Sequence, residues 1–202
     1  MVSTTTTAVA ENGLVCVFCG SSDGRDPAYG EAAQALGRAL AGSRYGLVYG
    51  GGGLGLMGRV ARAVHESSGR VLGIMPRALT KVEGCGEEVG EVVMVDSMHQ
   101  RKSLMNDHAV AFIALPGGFG TLEELLEMTT WSQLSIHKKP IIVLNTNGYY
   151  SGLKNLIEHT VDAGFVRGAH KGIIQFCDTP EEAVAAIKTY TGPEDRHDLT
   201  WK

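Results

Sequence analysis

Seven short apolar runs, each followed by glycine or polar residues and then by a longer stretch of helical period, constrain this chain more than any other feature. They are Leu14 to Phe18, Gly46 to Tyr49, Val71 to Met75, Glu91 to Val95, Val110 to Leu115, Ile141 to Leu144 and Ile173 to Cys177. Strands that read as almost continuously apolar are covered on both faces, as in a parallel sheet lying between helices. Between the runs, Ala28, Ala32, Leu36, Ala39 and Leu40 share one helical face, and Leu122, Leu125, Leu126 and Thr129 share another. The alternation predicts an α/β fold, a doubly wound, mostly parallel seven-stranded sheet with helices on both faces. No internal repeat, linker or composition shift interrupts it. One domain is expected over residues 13–190, between an N-terminal tail (1–12) and a polar C-terminal tail (191–202).

Composition removes several function classes. With 18 Lys and Arg against 22 Asp and Glu, and no basic block, the chain lacks the electrostatic footprint of a nucleic-acid binder. No run approaches the roughly 18 apolar residues of a membrane span, and the first ten residues have neither basic charge nor an apolar run. Neither a membrane protein nor a secretory signal is expected. Cys16 and Cys19 form a C-x-x-C, but inside a strand residues three apart point to opposite faces, which suits neither zinc nor a redox pair. With Cys85 and Cys177 standing alone, the four cysteines read as reduced thiols of a cytosolic protein, and no metal site is expected. The unusual number is 27 glycines in 202 residues, about twice the ordinary share.

Doubly wound sheets bind ligands beyond the carboxyl ends of their strands, so four strand-to-helix loops matter most. Cys19 to Gly24 offers small residues and hydroxyls, Ser21 among them, to a phosphate or sugar. In Tyr49 to Gly58, four consecutive glycines, including Gly51 and Gly52, suggest close backbone approach to a ligand. Gly53, Gly55 and Gly58 match G-x-G-x-x-G. However, the acidic residue that a dinucleotide site needs about 20 positions on is replaced by Met75-Pro76-Arg77-Ala78, which argues against NAD. The third loop, Ser97 to Lys102, has capping-box spacing at Ser97 and Gln100 and puts Arg101 and Lys102 early in a helix, where an anion would offset their conflict with the helix dipole. The fourth, Leu115 to Glu124, leads glycines into a helix N-terminus that forms an anion site. Glu124 has two readings there, a capping-box partner of Thr121 or a carboxylate acting on a ribose.

The string Pro116-Gly117-Gly118-Phe119-Gly120-Thr121-Leu122-Glu123-Glu124, with Met98-His99-Gln100-Arg101-Lys102 upstream, resembles the LONELY GUY family of cytokinin riboside 5′-monophosphate phosphoribohydrolases. The likeness runs from Val15 through Leu47 to Gly52 and on to Gly148-Tyr149-Tyr150. It implies a Rossmann-like fold and hydrolysis of the N-glycosidic bond of N6-substituted adenosine 5′-monophosphates, and of AMP, with no cofactor. It also implies that Arg101 and Glu124 are the catalytic pair and that Lys102, Gly117, Gly118, Phe119, Gly120, Thr121, Leu122 and Glu123 line the phosphoribosyl site. Glu87 and Thr130 match further substrate-contacting positions. Members form at least homodimers, with active sites near the subunit interface, and a cytosolic or nuclear location follows.

The chemistry agrees with that likeness. Breaking a ribosyl C–N bond builds oxocarbenium character that a carboxylate stabilises, and a 5′-phosphate provides remote binding energy. Arg101 then either holds the phosphate or orients Glu124. Two other readings compete: a pyridoxal-phosphate lysine decarboxylase, from the family's old label, with Lys102 as its Schiff-base lysine, and a nucleotide-binding module without catalysis.

Overall fold

The computed structural model describes residues 10–81, 88–197, 199 and 201. Seven strands form one sheet: β1 (Leu14–Phe18), β2 (Gly46–Tyr49), β3 (Val71–Pro76), β4 (Glu91–Val95), β5 (Ala109–Ala114), β6 (Ile141–Leu144) and β7 (Ile174–Cys177). Their order is β4-β3-β2-β1-β5-β6-β7, and each neighbouring pair is parallel. The sheet is thus wholly parallel, not merely mostly so. Two strands start one residue away from the apolar runs. β5 takes in Ala109, and β7 begins after a 3-10 turn over Gly168–Ile173.

The alternation of side chains across the strands separates two cores. On one face Val15, Val17, Leu47 and Ile113 pack against α1 (Pro27–Gly42), α2 (Gly55–Glu66) and α6 (Pro180–Thr189), chiefly through Leu36, Leu40, Val60, Val64 and Val184. On the other, Cys16, Phe18, Val48, Phe112 and Val143 meet α3 (Met98–His108), α4 (Phe119–Gln133) and α5 (Ser151–Asp162) through Met105, Leu125, Met128 and Ile157. Cys16 and Cys19 fall into opposite cores, as the strand geometry requires. No helix among the described residues is long and apolar enough to cross a membrane.

The chain begins at the centre of the sheet, winds outward to β4, and then returns to add β5 on the other flank of β1. The winding direction reverses between β1 and β5, so the loops after these two strands diverge and leave a crevice at their carboxyl ends. There Gly20 N donates to Pro116 O at 3.0 Å, and Leu115 N to Phe18 O at 2.9 Å. Residues 191–197, composed like a loose tail, lie against the end of α4, where Arg196 Nε donates to the buried Ser132 Oγ at 3.2 Å.

Candidate active site

A cavity of about 310 Å³ opens at this switch point, with Arg101 and Glu124 both in its wall. Arg101 is placed by α3, whose start follows the predicted cap. Ser97 Oγ accepts from Gln100 N at 3.1 Å, while Gln100 Oε1 reaches one residue further back and accepts from Asp96 N at 2.8 Å. Arg101 is only 4% exposed. Its Nη2 donates to Gly50 O at 3.1 Å, and its Nη1 lies 3.8 Å from Met98 Sδ.

Gly118 caps α4 with no side-chain hydrogen bond, so Phe119, Gly120 and Thr121 occupy the first three helical positions and present their backbone N–H groups at the cavity. Thr121 therefore lies inside the helix and is not its cap. The capping-box reading of Glu124 fails for that reason, since the residue sits a turn deeper, 8% exposed, in the cavity wall. Burial pushes the Cys16 thiol well above its ordinary value, Glu124 raises it further and Arg101 opposes the rise. Both charges thus act on the same point beneath the cavity.

The glycines divide into two kinds. A Cβ on Gly50 would stand 1.9 Å from Arg101 Nη2, and one on Gly55 would stand 2.4 Å from the backbone of Ser21 and Ser22. The second loop is glycine-rich largely because the protein packs against itself there. Gly118 and Gly120 have nothing within 4 Å of such a Cβ and face open space.

Of the residues expected at the site, Ser21, Arg101, Gly118, Phe119, Gly120, Thr121 and Glu124 line the cavity. Gly117 lines an adjoining depression of about 260 Å³ that shares Gly20 and Gly118 with it. Gly51 and Gly52 are buried behind Gly50 and do not reach the cavity. Lys102 turns away, with Nζ 2.5 Å from Glu123 Oε1 and 2.9 Å from Glu127 Oε2. Leu122 packs at the edge of a core, and Thr130 is exposed with its hydroxyl donating to Leu126 O at 2.9 Å. Glu87 lies outside the described residues.

Sequence reasoning missed the apolar wall of Phe18, Met57, Leu79, Met98 and Met105, which comes from four different elements and has no local pattern. It also missed a buttress. Tyr149 Oη donates to Gly117 O at 2.6 Å and Tyr150 Oη to Leu115 O at 2.7 Å, with the two rings edge to face. Those adjacent tyrosines carried part of the likeness, and their spacing at the end of a turn is the available signal.

Burial alone would lower the Lys102 amine, but its contacts with Glu123 and Glu127 outweigh that and raise it. A Schiff-base lysine needs a neutral amine, which this arrangement opposes. Burial pushes the Lys139 amine down, yet it donates to Asn106 O and does not line the cavity. Among the described residues no cluster of three or more His, Cys, Asp or Glu is placed to hold a metal.

A glycine-rich helix N-terminus beside a buried carboxylate and guanidinium, at the switch point of a parallel sheet, defines a doubly wound protein with a site for an anionic ligand. The match to known proteins narrows that class. A family model described as "Possible lysine decarboxylase" matches residues 57–187. Cytokinin riboside 5′-monophosphate phosphoribohydrolase LOG7 of Arabidopsis thaliana is 51% identical over 87% of this chain and 81% of its own length. LOG5 of the same plant is 49% identical over 90% and 79%, and LOG of Oryza sativa subsp. japonica is 47% identical over 93% and 77%. The chain belongs to this LONELY GUY family of phosphoribohydrolases. Its fold also matches the molybdenum cofactor carrier protein of Chlamydomonas reinhardtii, with a TM-score of 0.66 and 19% identity over 88% of this chain and 97% of that one. The molybdenum cofactor binding protein of Rippkaea orientalis gives 0.64 and 20% over 88% and 96%. At those identities the likeness is one of fold.

Proposed function

We propose that the protein hydrolyses the N-glycosidic bond of N6-substituted adenosine 5′-monophosphates, and of AMP, releasing the free base and ribose 5-phosphate. The observation that carries this reading is the convergence of Arg101 and Glu124 on one cavity beneath the uncapped N-terminus of α4. The α4 N–H groups and Ser21 suit the phosphoribosyl group, and the methionine-rich wall suits the base. As the C1′–N bond breaks, Glu124 stabilises the positive charge on the ribosyl group and orients water toward C1′. The water oxygen bonds to C1′, and a proton from that water ends on the departing base. Arg101, held by Gly50 O, faces the same cavity and supplies a fixed cation to the phosphate or to Glu124.

The family relationship supports the substrate class, since the relatives named above are cytokinin riboside 5′-monophosphate phosphoribohydrolases. The same reading makes the protein a cytosolic homodimer. Phe119, 92% exposed, and Leu126 on the outer side of α4 are apolar surface available for the subunit contact.

The test is to incubate the protein with N6-isopentenyladenosine 5′-monophosphate, the matching riboside and AMP, and to separate free bases by chromatography. Glu124→Gln should bind the monophosphate yet lower base release by at least about 100-fold. The riboside should be turned over far more slowly than the monophosphate. Near-normal release by the variant, or equal turnover of the two substrates, would overturn the assigned roles.

A further inference from the structure

We propose that Tyr149 is a positioning residue: its hydroxyl fixes the peptide plane that aims Gly118 N–H into the cavity, and so sets the affinity for the 5′-phosphate. This rests on the activity proposed above. Tyr149 does not line the cavity. It lines the adjoining depression together with Gly117, and Gly118 borders both hollows. The peptide joining Gly117 to Gly118 is trans, so its C=O and N–H point in opposite directions. Tyr149 Oη donates to Gly117 O at 2.6 Å from the side of the depression. The Gly118 N–H across the same plane is thereby turned toward the cavity, beside the N–H groups of the first turn of α4.

A loop with two successive glycines has many backbone states, and contacts from outside it must choose one. Each carbonyl ahead of α4 has its own partner. Leu115 O accepts from Tyr150 Oη at 2.7 Å, Pro116 O from Gly20 N at 3.0 Å, and Gly118 O from Leu122 N at 3.1 Å. The Tyr149 bond completes the series at the peptide that reaches the cavity. Tyr149 is itself firmly held. Its ring stands edge-on to Tyr29 of α1 and to Tyr150, with centroids 5.6 and 4.9 Å away. The turn before it is pinned by Asn147 Nδ2, which donates to Asp26 Oδ2 at 2.8 Å, and by Asn145 Oδ1, which accepts from Tyr150 N at 2.7 Å. The donor to Gly117 is thus anchored to the loops after β1 and β6, on groups that do not line the cavity. An N–H oriented before the ligand arrives costs no ordering on binding, so the Tyr149 hydroxyl contributes to affinity without touching the ligand.

The experiment compares wild type with Tyr149→Phe, which removes one oxygen from a half-exposed ring and keeps both edge contacts. The control is Tyr190→Phe, which removes an equivalent bond, Tyr190 Oη to Ile173 O at 2.7 Å, away from the cavity. Each protein is assayed for kcat and KM with N6-isopentenyladenosine 5′-monophosphate, for kcat/KM with the riboside, and for ribose 5-phosphate binding by calorimetry. Melting temperature and amide exchange are measured on the ligand-free proteins. Tyr149→Phe should raise KM and weaken ribose 5-phosphate binding about 3- to 10-fold, the equivalent of one neutral hydrogen bond, with kcat and the riboside kcat/KM within about 2-fold of wild type. Exchange at Gly20 and Leu122, whose N–H groups bond the carbonyls on either side of Gly117, should quicken in the same variant. Tyr190→Phe should lower the melting temperature and leave KM and ribose 5-phosphate binding unchanged. Wild-type affinity in Tyr149→Phe, an equal loss on riboside and monophosphate, or a matching rise in KM in Tyr190→Phe would each overturn the proposal. Weakened binding with exchange unchanged would show that Tyr149 touches the ligand itself, which also overturns it. Absence of base release by wild type would instead defeat the parent activity, while calorimetry with ribose 5-phosphate still decides the role of Tyr149.

Discussion

At the scale of single residues, the arginine proposed to act in catalysis depends on an atom that is absent. Arg101 extends over Gly50, and a methyl group there would occupy the space of Nη2, 1.9 Å from it. Gly50→Ala should therefore displace the guanidinium and lower kcat/KM by about 100-fold or more. The backbone of Gly50 has no positive φ to lose, so the melting temperature should fall only modestly. Steady-state kinetics beside a thermal melt checks this, and full activity in a folded variant would show that Arg101 can act from elsewhere. The same geometry explains what the glycine count did and did not reveal. Gly118 and Gly120 face open space, as a ligand cradle requires, whereas Gly50, Gly55 and Gly58 make room for Arg101, Ser21 and Ser22, and Gly53 O. Both needs leave the same letter in the sequence.

Among the elements, α4 carries the site at its first turns and a titratable lock at its end. His137, in the loop after α4, is 6% exposed, with Nε2 3.0 Å from Met128 O and Nδ1 accepting from Lys139 N at 3.2 Å. Both contacts suit the neutral ring. Burial chiefly, and the nearby Lys139 charge, push its pKa down to about 4 from an ordinary 6.5. The unfolded chain then binds the proton that the folded one refuses. This contribution is fully present above pH 6.5 and is lost as the pH falls toward 4. Between pH 7 and 5 the loss should be about 2 kcal/mol, and His137→Gln should remove that part of the pH dependence. Urea denaturation at both pH values measures it, and an unchanged slope in the variant would refute the assignment. The elements themselves were largely legible, because apolar runs bounded by glycine leave little choice but buried parallel strands. The start of α4 was not. Thr121 and Glu124 have the spacing of a capping box, but Gly118 takes the cap because the loop is held by Tyr149 and Tyr150, which lie far along the chain.

Over the whole molecule, the candidate site and the docked terminal segment lie at opposite ends of α4. Residues 191–197 look like a loose tail because they are polar and lack periodicity, and nothing in the pattern encodes where they dock. The partners are mostly backbone groups. His197 N donates to Gln133 O at 3.2 Å, Trp201 Nε1 donates to Leu134 O at 2.8 Å, and His170 Nε2 stands 3.3 Å from Asp195 O. With Arg196 on Ser132, these contacts satisfy the carbonyl end of α4 and the buried His170 ring. Each hydrogen bond contributes about 1 kcal/mol net, so removing residues 193–202 should cost a few kcal/mol and lower the melting temperature by several degrees. Glu124 lies nine positions before Gln133 on α4, a separation of roughly 13 Å along the helix axis. Activity measured well below the melting temperature should accordingly stay within about 2-fold of wild type, since contacts that far apart act nearly independently. Base-release rates and thermal melts on the shortened chain test both halves. A rate loss beyond about 10-fold without loss of stability would mean that the two ends of α4 are coupled, and that the terminal segment acts on the site through that helix.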